Sequence, residues 1–401
     1  MRAAVLQKRP GQPVVSQPSA AAAVRRSVGR HPDAGERAFA YAKACGIIGK
    51  SFVGKRLPAL GKPNSLVDLG RMLFPDVHRE LPGQELLADL ERRILRRTIK
   101  HIISVLNSYV YPPEMLIRQL RSCEYADLKT CLRHISAGKP VPPMLSDIGR
   151  FGTVHFEAYP DLEAMLADTE FEFILAHDLG AIASPDYDFI PLETELDLRY
   201  YSLLVQSMRR LSIYDRYLAE HILAEEISLR NCTWALRLRT YYHKSPEEAA
   251  EYLMDIKMRR DSLEQEIEEI PGDIHPRLGS VLLGVGASSK EISLADEARQ
   301  MLHFPPDSRA AWKGWRWETL LNPEKPGEYW TADPRYFQNA ASRYIYNLSL
   351  HCYTRMSSSL SSIFCFIKLK QFEEDMLTSI TEGLGLGMSG RDVFNLLGVL
   401  Q

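Results

Sequence analysis

The chain has 401 residues, 45% apolar and 25% charged, with a formal net charge of −2. That length allows two or three domains with substantial cores. The near-neutral balance excludes a dedicated nucleic-acid binder, which needs a basic surplus to neutralise phosphates. No run approaches the roughly 18–20 apolar residues of a membrane-spanning helix; the most apolar stretch, residues 360–367, contains Ser361 and Ser362.

Residues 1–36 carry six basic and two acidic side chains, alanines at 20–23, and prolines at 10, 13, 18 and 32. This composition predicts a disordered or over-extended N-terminus rather than a secretory signal. Residues 37–150 are expected to form a first helical subdomain. It opens on a helix around Phe39-Ala-Tyr41 and is cut by Gly61, Pro63, Pro75, Pro112 and Pro113. Ala44-Cys-Gly-Ile-Ile-Gly49-Lys50-Ser51 fits a loose P-loop, in which Lys50 and Ser51 would serve phosphate and magnesium. A real P-loop follows a buried strand, whereas residues 39–43 read as helix, so close helix packing is the competing account. Farther on, Leu87, Leu90, Ile94, Ile99, Ile102, Leu106 and Val110 predict one apolar helical stripe. The same stretch carries Arg92, Arg93, Arg96, Arg97 and Lys100, with Arg92, Arg96 and Lys100 in one row at four-residue spacing. Such a row is either a solvated face or a contact for an acidic partner or lipid headgroups.

A second helical subdomain is expected over 151–260. Its opening holds Asp178, Asp186, Asp188, Glu193, Glu195 and Asp197 beside His177, at spacings that match neither a calcium loop nor a zinc helix. Residues 192–245 contain neither glycine nor proline, and the same holds for residues 335–382. Spans so long predict extended helices or tight helical hairpins. Tyr200, Leu204, Met208, Leu211, Leu218 and Ile222 fit a single apolar stripe. Residues 261–333 read as a connector or insertion, with a Gly284-Val-Gly286 loop and Trp312, Trp315, Trp317 and Trp330. Those tryptophans either anchor the segment by burial or form a partner-binding patch. A third helical subdomain is expected over 334–401.

Two local patterns recur across these units. Ser65, Ser245 and Ser389 each stand three residues before an acid and just ahead of an apolar run, which predicts helix N-caps. Only Ser245-Pro-Glu-Glu248 has the glutamate of a full capping box. An acid-led helical phrase also appears three times, at Glu124, Glu226 and Glu373, with closing arginines Arg133 and Arg237 in the first two copies. Self-similarity of this kind predicts stacked supersecondary units that offer a surface rather than a catalytic pocket. With no convincing strand, the fold class is all-α. Six cysteines without a C-x-x-C pair predict free thiols, no cofactor or metal set is evident, and no catalytic residues stand out.

Three stretches resemble the C-type central-stalk component of the V/A-type rotary ATPases, which the vacuolar enzyme has as its d component. They are Leu196-Asp197-x-x-Tyr200-Tyr201 running to Glu226-Ile-Ser-Leu-Arg-Asn231 and Arg237, residues 124–138, and Ile363-Phe-Cys-Phe-Ile-Lys368-Leu-Lys370-x-x-Glu373. The sequence departs from the family pattern at Lys43, Cys45 and Gly46, and in the missing third arginine. The resemblance implies three similar helical subdomains arranged as a funnel. It implies a non-catalytic rotor piece of the central stalk, peripheral on the cytoplasmic side of the membrane. Such a piece joins the D and F subunits of the shaft to the proteolipid ring and links ATP hydrolysis or synthesis to proton or sodium transport. The competing readings are a helical-repeat scaffold of another complex and a nucleotide-binding enzyme using Lys50.

Overall fold

The computed structural model describes residues 32–74, 81, 83–259, 291–355 and 357–398. It is all-α in class. The first helices are α1 (Ala34–Ile48), α2 (Leu66–Leu73), α3 (Gly83–Leu106) and α4 (Glu114–Ser136), followed by short α5 (Leu162–Leu166) and α6 (Leu179–Ile182). Next come α7 (Ile190–Met208), α8 (Ile213–Thr240), α9 (Pro246–Ala250) and α10 (Asp296–Leu302). The last are α11 (Pro334–Arg355), α12 (Leu360–Gly385) and α13 (Gly390–Leu396).

Each glycine- and proline-free span folds as two long helices joined by a short turn; α11 and α12 pack on one another as a hairpin, whereas α7 packs on α4 and α8 on α11. Residues 192–245 supply most of α7 and all of α8, and residues 335–382 supply α11 and most of α12. The expected single stripe from Tyr200 to Ile222 is therefore divided between two helices. Ser212 breaks it, accepting from the Asp215 amide at 3.3 Å and so starting α8 afresh. The other stripe holds along α3 for Leu90, Ile94, Ile99, Ile102 and Leu106, all buried, but Val110 lies past the helix end and is 67% exposed.

All three anticipated serine caps are present. Ser65 and Ser389 accept from the amides of Asp68 and Asp392, both at 3.1 Å. Ser245 forms the reciprocal box with Glu248. A second box, Asp33 with Glu36, starts α1. Each cap satisfies amides that the first helical turn would otherwise leave without partners.

Two short strands correct the expectation that the chain has none. β1 (Lys257–Arg259) pairs antiparallel with β2 (Glu291–Ser293), with Met258 opposite Ile292. The ribbon is tied down from α8, where the Asn231 side chain donates to the carbonyls of Met254 and Leu294 and accepts from the Met254 amide. One buried amide thus satisfies three backbone groups on both sides of the ribbon.

α12 is the central element. It packs against α1, α2, α3, α4, α8, α11 and α13, and from Leu360 to Ile367 every residue is buried. Its junction with α13 depends on a small residue: a Cβ on Gly383 would collide with the Val393 side chain. A second core surrounds the tryptophans. Trp312, Trp315, Trp317 and Trp330 are buried with residues of α8, α9, α10 and α11, and each indole N–H has an acceptor. Of the two readings of these side chains, burial is the one observed.

Candidate functional site

Two of the three recurring acids, Glu124 and Glu373, act as pins between helices and irregular segments. Glu124 on α4 is buried and accepts from the amides of Thr153 and Val154 and from the Thr153 hydroxyl. Glu373 on α12 is buried likewise and accepts from the Phe52 amide at 2.8 Å. The third copy, without a closing arginine, draws its cations from elsewhere. Lys370 lies one turn back on α12, and Arg97 of α3 stands 3.8 Å away. Burial opposes ionisation of Glu373, but Lys370, Arg97 and the Phe52 N–H hold its carboxyl below the ordinary range.

In α8 the pin is displaced by one residue. Glu225, not Glu226, reaches the flanking segment, meeting Arg316 at 2.5 Å, while Trp317 beside it donates to Ser228. One residue along a helix is a rotation of about 100°, so Glu226 faces a different direction. It faces a cavity.

That cavity, about 680 Å³, lies between α4, α7, α8, α11 and α12. Its lining residues recur at helical spacing: Ser122, Ala126 and Lys129 on α4; Glu226, Arg230 and Arg237 on α8; Gln371, Glu374 and Asp375 on α12. α4, α8 and α12 therefore each pin an irregular segment with one face and present the next face to a shared space.

The wall mixes apolar side chains with charged groups that cross-link its helices. Lys129 binds Asp197 at 2.7 Å, joining α4 to α7. Glu226 accepts from the Tyr201 hydroxyl at 3.0 Å and meets Lys368 at 2.5 Å and Arg230 at 3.4 Å, joining α7, α8 and α12. Burial pushes the Glu226 carboxyl up, yet Lys368 and Arg230 together hold it below its usual value. Burial also lowers Lys368, and Glu226 resists that change. The neighbouring Glu374 has no such dominant cation. Burial and the like charge of Asp375 raise Glu374 to about 8.

The raised Glu374 carboxyl predicts a pH-dependent stability. Its folded-state pKa lies above the ordinary value of 4.5, so between these limits the folded chain binds more protons than the unfolded one. Stability from this group is therefore present in acid and lost as pH rises toward and through about 8. Glu374→Gln is expected to match the parent near pH 5 and exceed it at pH 9, by on the order of a few kcal/mol. Urea denaturation at both pH values checks this, and a gap that shrinks toward alkaline pH would refute the assignment.

The basic row of α3 is divided by its surroundings. Arg92, Arg96 and Lys100 are exposed, and Arg92 lies 4.0 Å from Asp89. Arg93 pairs with Asp89 at 2.8 Å, and Arg97 turns inward over Phe74 and toward Glu373. None of the five lines the central cavity. Lys50, the P-loop candidate, is exposed just beyond the C-terminal end of α1, where Gly49 caps the helix to Cys45. Helix α1 rather than a strand leads into it, and a helix C-terminus presents carbonyls rather than the amides a phosphate requires. Ser51 is turned away, donating to the Ile47 carbonyl and accepting from Lys370.

The acidic cluster disperses in space. His177 meets Glu195 at 3.2 Å, Asp178 caps α6, Asp188 caps the Ile190 amide, Glu193 binds Arg133, and Asp197 binds Lys129. Among the described residues no group of three or more histidine, cysteine or acidic side chains could hold a metal ion. The Gly284-Val-Gly286 loop and residues 1–31 lie outside the described residues.

Fold and cavity together describe an all-helical protein with a charged cavity enclosed by α4, α7, α8, α11 and α12. A family model described as the ATP synthase (C/AC39) subunit matches residues 75–270, just under half of the chain, and this supports the C/d components of the V/A-type ATPases as its family. This family is a structural, central-stalk component of the rotary ATPase. The chain is also 26% identical over 359 residues to an uncharacterized protein of Treponema pallidum (strain Nichols), covering 87% of this chain and 92% of that protein. Among the described residues no helix is long and apolar enough to cross a membrane.

Proposed function

We propose that this chain is the coupling piece between the central shaft and the membrane ring of a V/A-type ATPase. The 680 Å³ cavity receives the end of the shaft formed by the D and F subunits, while another face sits on the proteolipid ring. ATP hydrolysis or synthesis is thereby linked to proton or sodium transport on the cytoplasmic side of the membrane, with no bond chemistry performed by this chain. The observation that carries this reading is the cavity itself. Its wall draws on α4, α7, α8, α11 and α12, and it has room for at least about one turn of an inserted helix. Lys129–Asp197 and Glu226–Lys368 tie that wall together, so a rotating insert would turn the whole body rather than one hairpin.

The test fills the socket. Ala126 and Ser342 line it and are exposed, so tryptophan at both positions occupies the space without entering the core. A tagged chain drawn from solubilised membranes is expected to bring down the D and F subunits and the ring. Ala126→Trp with Ser342→Trp is expected to lose at least about tenfold of the shaft subunits, the effect of roughly 1.4 kcal/mol. Unchanged shaft recovery by the filled variant, or no ATPase component with the parent, would refute the proposal.

A further inference from the structure

We infer that the exposed row on α3 and the proline-rich turn after α4 form one docking surface for an anionic lipid membrane. Arg92 and Arg96 line a surface pocket of about 340 Å³ with Leu95, Pro142, Pro143, Met144 and Leu145. Lys100 continues the row one turn on and is exposed. From Arg92 to Lys100 the row runs about 12 Å along the helix. Among the described residues Arg96 and Lys100 make no ion pair, and the nearest acid of the row, Asp89, is engaged by Arg93. The turn contributes a further exposed cation, Lys139, beside two exposed apolar side chains, Val141 (68%) and Met144 (49%).

Those apolar groups are held outward. Gly138, at φ +64°, lets the chain leave α4, and the Tyr159 hydroxyl donates to the Lys139 carbonyl at 2.7 Å. At the other end Asp127 accepts from both the amide and the hydroxyl of Ser146. Pro140, Pro142 and Pro143 restrict the backbone between these anchors. Valine and methionine therefore stay in water although the core is a few residues away. Cations alone would suit any acidic partner. Cations bordering a fixed apolar ridge suit a bilayer surface, where phosphates meet the arginines and the ridge enters the headgroup–acyl boundary.

The inference does not depend on what occupies the central cavity. It is tested by co-sedimentation of the full-length chain with vesicles of phosphatidylcholine, alone or with about one-third phosphatidylglycerol, at low and high salt. The parent is expected to bind the anionic vesicles and release with salt. Arg92→Glu with Arg96→Glu is expected to weaken that binding by at least about tenfold. Val141→Ser with Met144→Ser, at exposed positions that do not enter the core, is expected to weaken binding while leaving its salt dependence intact. Residues 1–31 are present in every variant, so any contribution from their basic side chains cancels. Equal binding to neutral vesicles, or no effect of the charge reversal in a chain with unchanged circular dichroism, would overturn the inference. Capture of polyglutamate by the parent without vesicle binding would overturn it too, in favour of an acidic protein.

Discussion

Lys370→Ala is expected to destabilise the protein by about 3–5 kcal/mol, the cost of leaving a buried charge without its main partner. Lys370 is 1% exposed and its ammonium is shared between the Glu373 carboxylate and the Ser51 hydroxyl. Without it, Glu373 keeps only the Phe52 amide at 2.8 Å and the more distant Arg97. The pair ties α12 to the turn after α1, so the loss should appear as a lower urea midpoint for the whole transition. Lys370→Met with Glu373→Leu should regain part of the stability by removing both charges. Recovery stays partial because the Phe52 N–H then has no acceptor. A single variant within about 1 kcal/mol of the parent would show that the pair is not a structural lock.

Trp312→Ala is expected to cost a comparable amount, about 3–5 kcal/mol. Trp312 is fully buried, edge-on to Phe304, Trp315 and Trp330, and its indole donates to the Pro305 carbonyl at 3.0 Å. Truncation removes the centre of the second core and leaves that carbonyl unpaired. Tyr329→Ala, seventeen positions on and 78% exposed, serves as the control, with an expected change of no more than about 0.5 kcal/mol. If the two variants melted together, the tryptophan cluster would not be the element that secures residues 303–333.

What sequence could reveal here followed the range of each interaction. The caps at Ser65, Ser245 and Ser389 join groups three residues apart, so they were readable from the local pattern. The long helices were equally readable, because long spans without glycine or proline leave few alternatives. The acid phrase identified the correct helices but misplaced its second member. Only Arg316, ninety-one residues downstream, distinguishes Glu225 from Glu226. Non-local partners likewise separated Arg97 from the exposed row, through Phe74 and Glu373. The ribbon of β1 and β2 escaped notice because three-residue strands are too short to show alternation. The cavity was unreadable for a related reason: its wall is assembled from five helices spread over residues 122–375.

α12 carries one further implication. It is a 26-residue rod, about 39 Å long. Its outward side shapes the socket at Glu374 and Asp375, while its inward side locks to Phe52 through Glu373. No glycine or proline interrupts it before Gly383. Sideways force at the socket is thus handed straight to α1, α3, α4, α8 and α11 within a single helix diameter. Under the proposed function such a body would turn as one stiff unit, and elastic give would have to reside in its neighbours.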